Sequence, residues 1–403
     1  MVENIEELIK AHQGIKREVY LDFENSSPIS NDVVQAMIPY FSEKAYGNPT
    51  VTHKQGWMAY EAIMGASEQI ANYIGSTMAE EINFTPGEAE ANNLALVGSA
   101  LANRKKGSKV VISEIEPLSI FLSSAILKRF GFKVVKVPVN REGIIDLDKL
   151  AKAVDKETVL VSIMTVNHEI GTIEPIKDAV KVVKGINSDT LFHTDASDAY
   201  CRIPVSVKES GIDLMTLSSY KVLGPRGIGV LYVREGVAIE KLLEGQFGTQ
   251  RLWPGVENTP LIMGFLKASE LSFRNFRENI SHMRVLRDTL IDEILGKICE
   301  SILNGPKGDK RSPDNVNISI LRCEGEALTI ELSLNGVYVS SGSACTRRLL
   351  QPSHVLTAIG RKFEEAHGSI LMKTTRYHVR EDVEHVLQVL PKAVARLRGI
   401  SPK

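Results

Sequence analysis

Residues 190–221 read TLFHTDASDAYCRIPVSVKESGIDLMTLSSYK, and the fold can be worked out from this stretch. A strand-like run at 190–193 leads into Asp195, and a second apolar run at 214–217 leads into Lys221. The two residues stand 26 positions apart, the length of one βα unit, so adjacent parallel strands can present both to a single ligand. Working outward, further short β-branched runs fall at 109–113, 133–137, 159–163 and 229–233. Helix-length segments such as 117–130, 148–154 and 176–186 lie between them. This alternation predicts an α/β fold with a mostly parallel sheet and helices on both faces.

Past residue 262 the pattern changes to long helices at 261–276 and 282–299, then a few strands and a final helix from Glu381. A chain of 403 residues also exceeds the size at which one hydrophobic core stops growing. Two domains follow: a large one at 16–260 and a smaller α+β one at 261–403, with a helix in residues 1–15 packing on the smaller. Lys and Arg number 48 against 49 Asp and Glu, so no global field attracts nucleic acid or an anionic membrane. The N-terminal MVENIEELIKAHQG is acidic and helix-patterned, unlike a signal peptide, and no apolar run of membrane-spanning length occurs. A cytoplasmic protein is expected. Its four cysteines, Cys201, Cys299, Cys323 and Cys345, are widely spaced and read as reduced thiols.

In open α/β sheets, ligands gather beyond the carboxyl ends of the strands. Asn167-His168-Glu169, Asp195 and Lys221 all stand there. A lysine held in apolar surroundings has its pKa lowered by desolvation, which suits it to Schiff-base chemistry with an aldehyde. A carboxylate such as Asp195 can pair with a protonated pyridine nitrogen, or simply cap a helix. Thr85-Pro86-Gly87-Glu88-Ala89-Glu90 is a glycine-containing turn opening a helix, an arrangement that directs free backbone N–H groups at a phosphate. Ser340 to Thr346, SSGSACT, is a run of small residues after a strand-like segment. That context favours a reactive thiol at Cys345, whereas Cys201, Cys299 and Cys323 read as buried small hydrophobes.

Together these segments resemble the cysteine desulfurases of the class V aminotransferase group, which have the fold type I architecture of pyridoxal 5'-phosphate (PLP) enzymes. The likeness runs in order through Tyr20-Leu21-Asp22-Phe23, Gly47-Asn48-Pro49, Asn92-Asn93-Leu94-Ala95, Gly143-Ile144-Ile145-Asp146 and Glu169-Ile170-Gly171 to His193-Thr194-Asp195-Ala196. It continues through Lys221, Gly224-Pro225-Arg226-Gly227, Pro254-Gly255-Val256-Glu257-Asn258, the SSGSACT loop and Pro352-Ser353-His354-Val355-Leu356. The resemblance implies removal of sulfur from L-cysteine to give alanine. It makes Lys221 the amine that anchors PLP, Asp195 the partner of the ring nitrogen, and Cys345 the thiol that takes the sulfur as a persulfide. It also implies a homodimer and a sulfur-acceptor protein such as an iron–sulfur scaffold.

Several positions differ from the family pattern. The phosphate-binding threonine falls on Ala89, after Glu88; the threonine reaching in from the partner subunit falls on Val256. Ser218 keeps a phosphate-ligand position, and the histidine before the lysine is Tyr220. The ring-stacking histidine falls near Pro117 or Leu118, the asparagine by the ring oxygen on His168, and the glutamine facing that oxygen on Asp198. The arginine that clamps the substrate carboxylate falls on Leu371, leaving Lys373 or Arg376 to reach in from nearby. The sequence therefore leaves two alternatives open: a PLP enzyme of the same fold with another amino-acid substrate, or a non-catalytic scaffold or sulfur-relay homologue that binds PLP weakly.

Overall fold

A computed structural model describes residues 14–342 and 352–400, together with Ile9 and His12. Among the described residues, thirteen strands are numbered in chain order, and the first, β1 (Val19–Tyr20), belongs to the smaller sheet system described below. The main sheet is built from β2 (Ile82–Thr85), β3 (Lys109–Ser113), β4 (Lys133–Val137), β5 (Thr158–Ser162), β6 (Leu191–Asp195), β7 (Leu214–Ser218) and β8 (Gly229–Val233). Their spatial order is β2-β8-β7-β6-β5-β3-β4, with β4, β3, β5, β6 and β7 parallel and β8 antiparallel to both its neighbours. The expected strands are all present within one or two residues. β2 is an addition, seated at the edge against β8.

Strand alternation explains the two-faced burial. Val111, Val161, Phe192 and Met215 enter one hydrophobic core, and their neighbours Val110, Leu160, Leu191 and Leu214 enter another on the opposite face. Helices cover both. Helix Ile176–Ile186, for example, buries Ile176, Ala179, Val180 and Val183, the spacing of a single helical face.

The second unit centres on an antiparallel sheet ordered β12 (Ser340–Ser341), β13 (Ser369–Lys373), β10 (Asn315–Ile320) and β9 (Ser301–Leu303). Helices Phe276–Lys297, Gly325–Ser333 and Arg380–Ile400 enclose a separate core against it. β1 pairs in parallel with β11 (Val337–Tyr338), and Val19 and Leu21 enter this second core. Helix Thr259–Phe273 buries Ile262, Phe265, Leu266 and Ala268 in the first core, and Phe273 stacks on Tyr73 with centroids 4.3 Å apart. On packing grounds we therefore place the division between the units at residues 274–275 instead of Pro260, and assign residues 16–21 to the smaller unit. The expected helix of residues 1–15 falls almost wholly outside the described residues. Among the described residues, no helix is long and apolar enough to cross a membrane.

Candidate active site

Asp195 is the last residue of β6, opposite Thr216 of β7. Its Oδ2 accepts from Asn92 Nδ2 at 2.6 Å and its Oδ1 from the backbone N–H of Ser197 at 2.8 Å. Asn92 also donates to Ser119 Oγ at 2.8 Å. Burial pushes the Asp195 carboxyl up, and the bonds from Asn92 and Ser197 restrain the rise. Lys221 follows β7 in the single turn Tyr220–Val222, which ends on Leu223 in the left-handed region at φ 67°. The Lys221 carbonyl accepts from Arg202 Nη2 at 2.7 Å, which fixes the turn on the sheet end.

The Lys221 side chain is buried within a ring of four charges. Its Nζ contacts Glu24 Oε1 and lies 3.1 Å from Asp198 Oδ2. Lys373 Nζ closes the ring, contacting Asp198 Oδ1 and lying 2.5 Å from Glu24 Oε2. Each carboxylate thus bridges two ammonium groups, and the four charges sum to zero. Burial alone would lower the Lys221 pKa, as the sequence led us to expect, but Asp198 and Glu24 reverse the sign and hold it well above its ordinary value. Asp198 meets the same burial but faces Lys221, Lys373 and Arg202, so it stays below the usual carboxylate range. Glu24 lacks the third cation; burial, reinforced by Asp198, pushes its carboxyl up. Asp198, expected beside a ring oxygen, is thus a fully ionised member of this ring.

Beside the ring lies a cavity of about 440 Å³. Gly87, Glu88 and Ala89 form one wall at the start of a helix that runs through Glu88–Asn93, a π turn at Leu94–Gly98 and Ser99–Ala102. Ser218 and Tyr220 approach from the end of β7, His168 from beyond β5, and Pro117 and Leu118 supply an apolar wall. A Cβ on Gly229 would come within 2.8 Å of the Gly87 carbonyl carbon, so glycine is required where β8 passes beneath the turn. Ser218 Oγ, Glu88 Oε2 and His168 Nδ1 are shielded from solvent and have no protein partner. Burial, then the nearby Asp195, raise the Glu88 carboxyl well above its ordinary value. Burial, then Lys221, lower His168 to about 3, so its imidazole is neutral.

The other expected site residues are placed differently. Tyr220 donates from its hydroxyl to the Glu24 carbonyl at 3.2 Å. Val256 is 55% exposed and does not line this cavity. Leu371 lines a second, smaller space of about 30 Å³ with Glu24, His168, Glu169 and Ser340 to Gly342. Arg376 is turned away, donating to Ser272 Oγ at 2.8 Å. Lys373 does reach the site, because Leu371 and Lys373 share one face of β13 while Ile370 and Met372 enter the second core. Glu24, which carried no signal in the sequence, joins it to Lys221 together with Asp198. Cys345 lies outside the described residues. Cys201 and Cys323 are buried as expected, and Cys299 is exposed.

Comparison with known proteins agrees with this architecture. Residues 19–386 match the family model for aminotransferase class-V. The cysteine desulfurase IscS 1 of Archaeoglobus fulgidus is 41% identical over 383 residues, covering 95% of this chain and 98% of the relative. The cysteine desulfurase IscS of Dictyoglomus turgidum is 42% identical over 388 residues, covering 96% and 97%. Among solved structures, a NifS-like protein superimposes with a TM-score of 0.87 at 31% identity, covering 94% of this chain and all of that one. SspA in complex with cysteine gives 0.78 at 31% identity, covering 89% and 99%. The chain belongs to the class-V aminotransferases and, within them, to the cysteine desulfurase family.

Proposed function

We propose that the protein is a PLP-dependent cysteine desulfurase that converts L-cysteine to alanine and passes the sulfur to an acceptor protein. The observation that carries this reading is the joint placement of Lys221 and Asp195 at the ends of adjacent strands beside a cavity of about 440 Å³, in a chain of this family. The partnerless polar atoms on its walls support the fit of the cofactor. Ser218 Oγ is a free donor, and the helix start at Gly87 to Ala89 offers backbone N–H groups for a phosphate. Burial raises the Glu88 carboxyl well above its ordinary value, and in its protonated form it presents a neutral O–H donor where an ionised carboxylate would repel the phosphate. Neutral His168 suits the ring oxygen, and Pro117 and Leu118 offer apolar contact to the ring in place of a stacked histidine.

When bound, PLP supplies an aldehyde that takes up an amino group and a protonated ring that withdraws electrons. Lys221 is the amine that holds the aldehyde, and Asp195, fixed by Asn92 and Ser197, holds the proton on the ring nitrogen. Lys221 must first give up a proton. Glu24 is the group in contact with it whose affinity for a proton is raised, so Glu24 receives it. Cys345 as thiolate takes the substrate sulfur: the carbon–sulfur bond breaks and a sulfur–sulfur bond forms, leaving a persulfide.

The family likeness supports a homodimer in which Val256 faces the partner's site, an iron–sulfur scaffold as acceptor, and a cytoplasmic location. Purified protein given PLP is expected to absorb near ~410–420 nm, a property of the cofactor held on a lysine. It should release sulfide from L-cysteine, with the absorbance lost in Lys221→Ala and sulfide release lost in Cys345→Ser. A chain that takes up no PLP, or whose sulfide release is undiminished in Lys221→Ala, refutes the reading.

A further inference from the structure

The space beside Leu371 measures about 30 Å³, room for roughly one water molecule, and Glu24 forms part of its wall. An amino acid does not fit a space of that size, and Glu24 is the acidic side chain on its boundary with the charge ring. Glu24 also lines the larger cavity, as do Asn25, Leu118 and His168, so its side chain is part of the partition between the two spaces, and the charged part. Its carboxylate is held at both ends by lysine, Oε1 on Lys221 and Oε2 on Lys373. A substrate's α-carboxylate has the same shape, charge and donor requirement. Leu371 cannot bind one, and Arg376 is committed to Ser272 and the Tyr377 hydroxyl. Of the cationic side chains at or near Leu371 on β13, Lys373 is the one whose charged end reaches the ring.

We propose that Lys373 is the receptor for the substrate α-carboxylate, and that Glu24 is a resident carboxylate occupying this receptor until the incoming amino acid displaces it. The proposal rests on the reading of the site as one for an amino acid. Its logic is exchange of one carboxylate for another on the same ammonium group, so Lys373 keeps an anionic partner when substrate binds. Of the two carboxylates, Glu24 is the one able to leave. Asp198 is additionally backed by Arg202, whereas among the described residues the Glu24 carboxylate is held by the two lysines alone, and Glu24 stands on the connection between β1 and helix Asn31–Met37. Glu24 is also the carboxylate pushed towards protonation, and the proton it takes from Lys221 releases its hold on Lys373.

The test is equilibrium binding to the PLP-loaded full chain, measured by calorimetry with L-alanine, which carries the carboxylate but no thiol, and with ethylamine, which carries neither. Wild type is expected to bind L-alanine well above ethylamine. Lys373→Met should weaken L-alanine by about tenfold or more and leave ethylamine unchanged, the loss of one charge-assisted contact. Glu24→Ala should tighten L-alanine by about tenfold by removing the internal competitor. If Lys373→Met folds poorly, the charge-balanced double variant Lys373→Met/Glu24→Gln carries the same expectation of lost discrimination, and Lys373→Arg should retain it. Discrimination between the two ligands that survives both Lys373→Met and the double variant, or L-alanine binding weakened in Glu24→Ala, overturns the proposal while leaving the desulfurase reading intact. Wild type that binds neither ligand overturns the amino-acid site itself, and the proposal with it.

Discussion

Glu174 is a buried carboxyl that is not part of the charge ring, and its titration should be visible in the stability of the whole protein. Its Oε2 accepts from the backbone N–H of Ile145 at 2.9 Å and its Oε1 has no partner. Burial raises its pKa from 4.5 to about 8, with the Ile145 bond opposing. A carboxyl raised in this way favours the folded state fully below its unfolded pKa, and that contribution is lost as pH climbs towards the folded value. At 1.36 kcal/mol per pH unit, the interval between 4.5 and 8 gives an upper bound of ~5 kcal/mol, and relaxation around the ionised group reduces the expected loss to about 2–4 kcal/mol. Glu174→Gln mimics the protonated form and does not titrate. The variant should match wild type within about 1 kcal/mol at pH 5 and exceed it by about 2–4 kcal/mol at pH 9. Urea midpoints followed by pulse proteolysis at the two pH values measure this. The other raised carboxyls, including Glu169 and Glu116, titrate in both proteins and cancel in the difference, as does any fixed cost of the amide. An equal gap between variant and wild type at both pH values would refute the reasoning.

Arg202 and Asp314 form a buried pair, so Asp314→Asn, which leaves Asp198 as the remaining counter-charge of the guanidinium, should destabilise by about 3 kcal/mol in a denaturant titration. Gly342 stands at the base of the segment that leads to Cys345, and a Cβ there would lie 2.3 Å from Ser369 Oγ and 2.7 Å from Glu169 Oε1. Gly342→Ala is therefore expected to reduce sulfide release severalfold with PLP absorbance unchanged; full activity would contradict the close fit. If Glu88 acts as a neutral donor, Glu88→Gln should keep PLP affinity within about threefold while Glu88→Ala loses about tenfold, the usual worth of one hydrogen bond. Spectrophotometric titration with PLP reads both, and a Glu88→Ala protein that binds more tightly would mean the carboxylate repels the phosphate.

The sheet was legible because its inner strands are buried on both faces and so read as largely apolar runs. Lys109–Ser113 and Gly229–Val233 match the sequence reading to the residue. β2 escaped because it is only four residues long, INFT, and contains Asn83. The boundary was read at Pro260 because proline at a helix start looks like a break, whereas here it opens a helix that packs on the large core. Asp195 and Lys221 were legible from their place at strand ends. The direction of the Lys221 pKa was not, because its partners Glu24 and Asp198 lie 197 and 23 residues away and Lys373 is a further strand-face neighbour of Leu371. Burial can be guessed from apolar flanks, but counter-charges brought in by tertiary folding cannot.

The ring of four charges also has a mechanical side. Asp198 and Lys221 ride on the large sheet, Lys373 rides on β13 of the smaller unit, and Glu24 sits on the stretch of chain that passes from one to the other. The ring is thus a clasp across the seam between the two units. Freeing Glu24 unfastens two of its four links, so admission of a ligand and loosening of the seam become one event. The Asp198–Lys373 link and the Arg202–Asp314 pair still hold the halves together, so this one side chain governs part of the seam and not the whole of it.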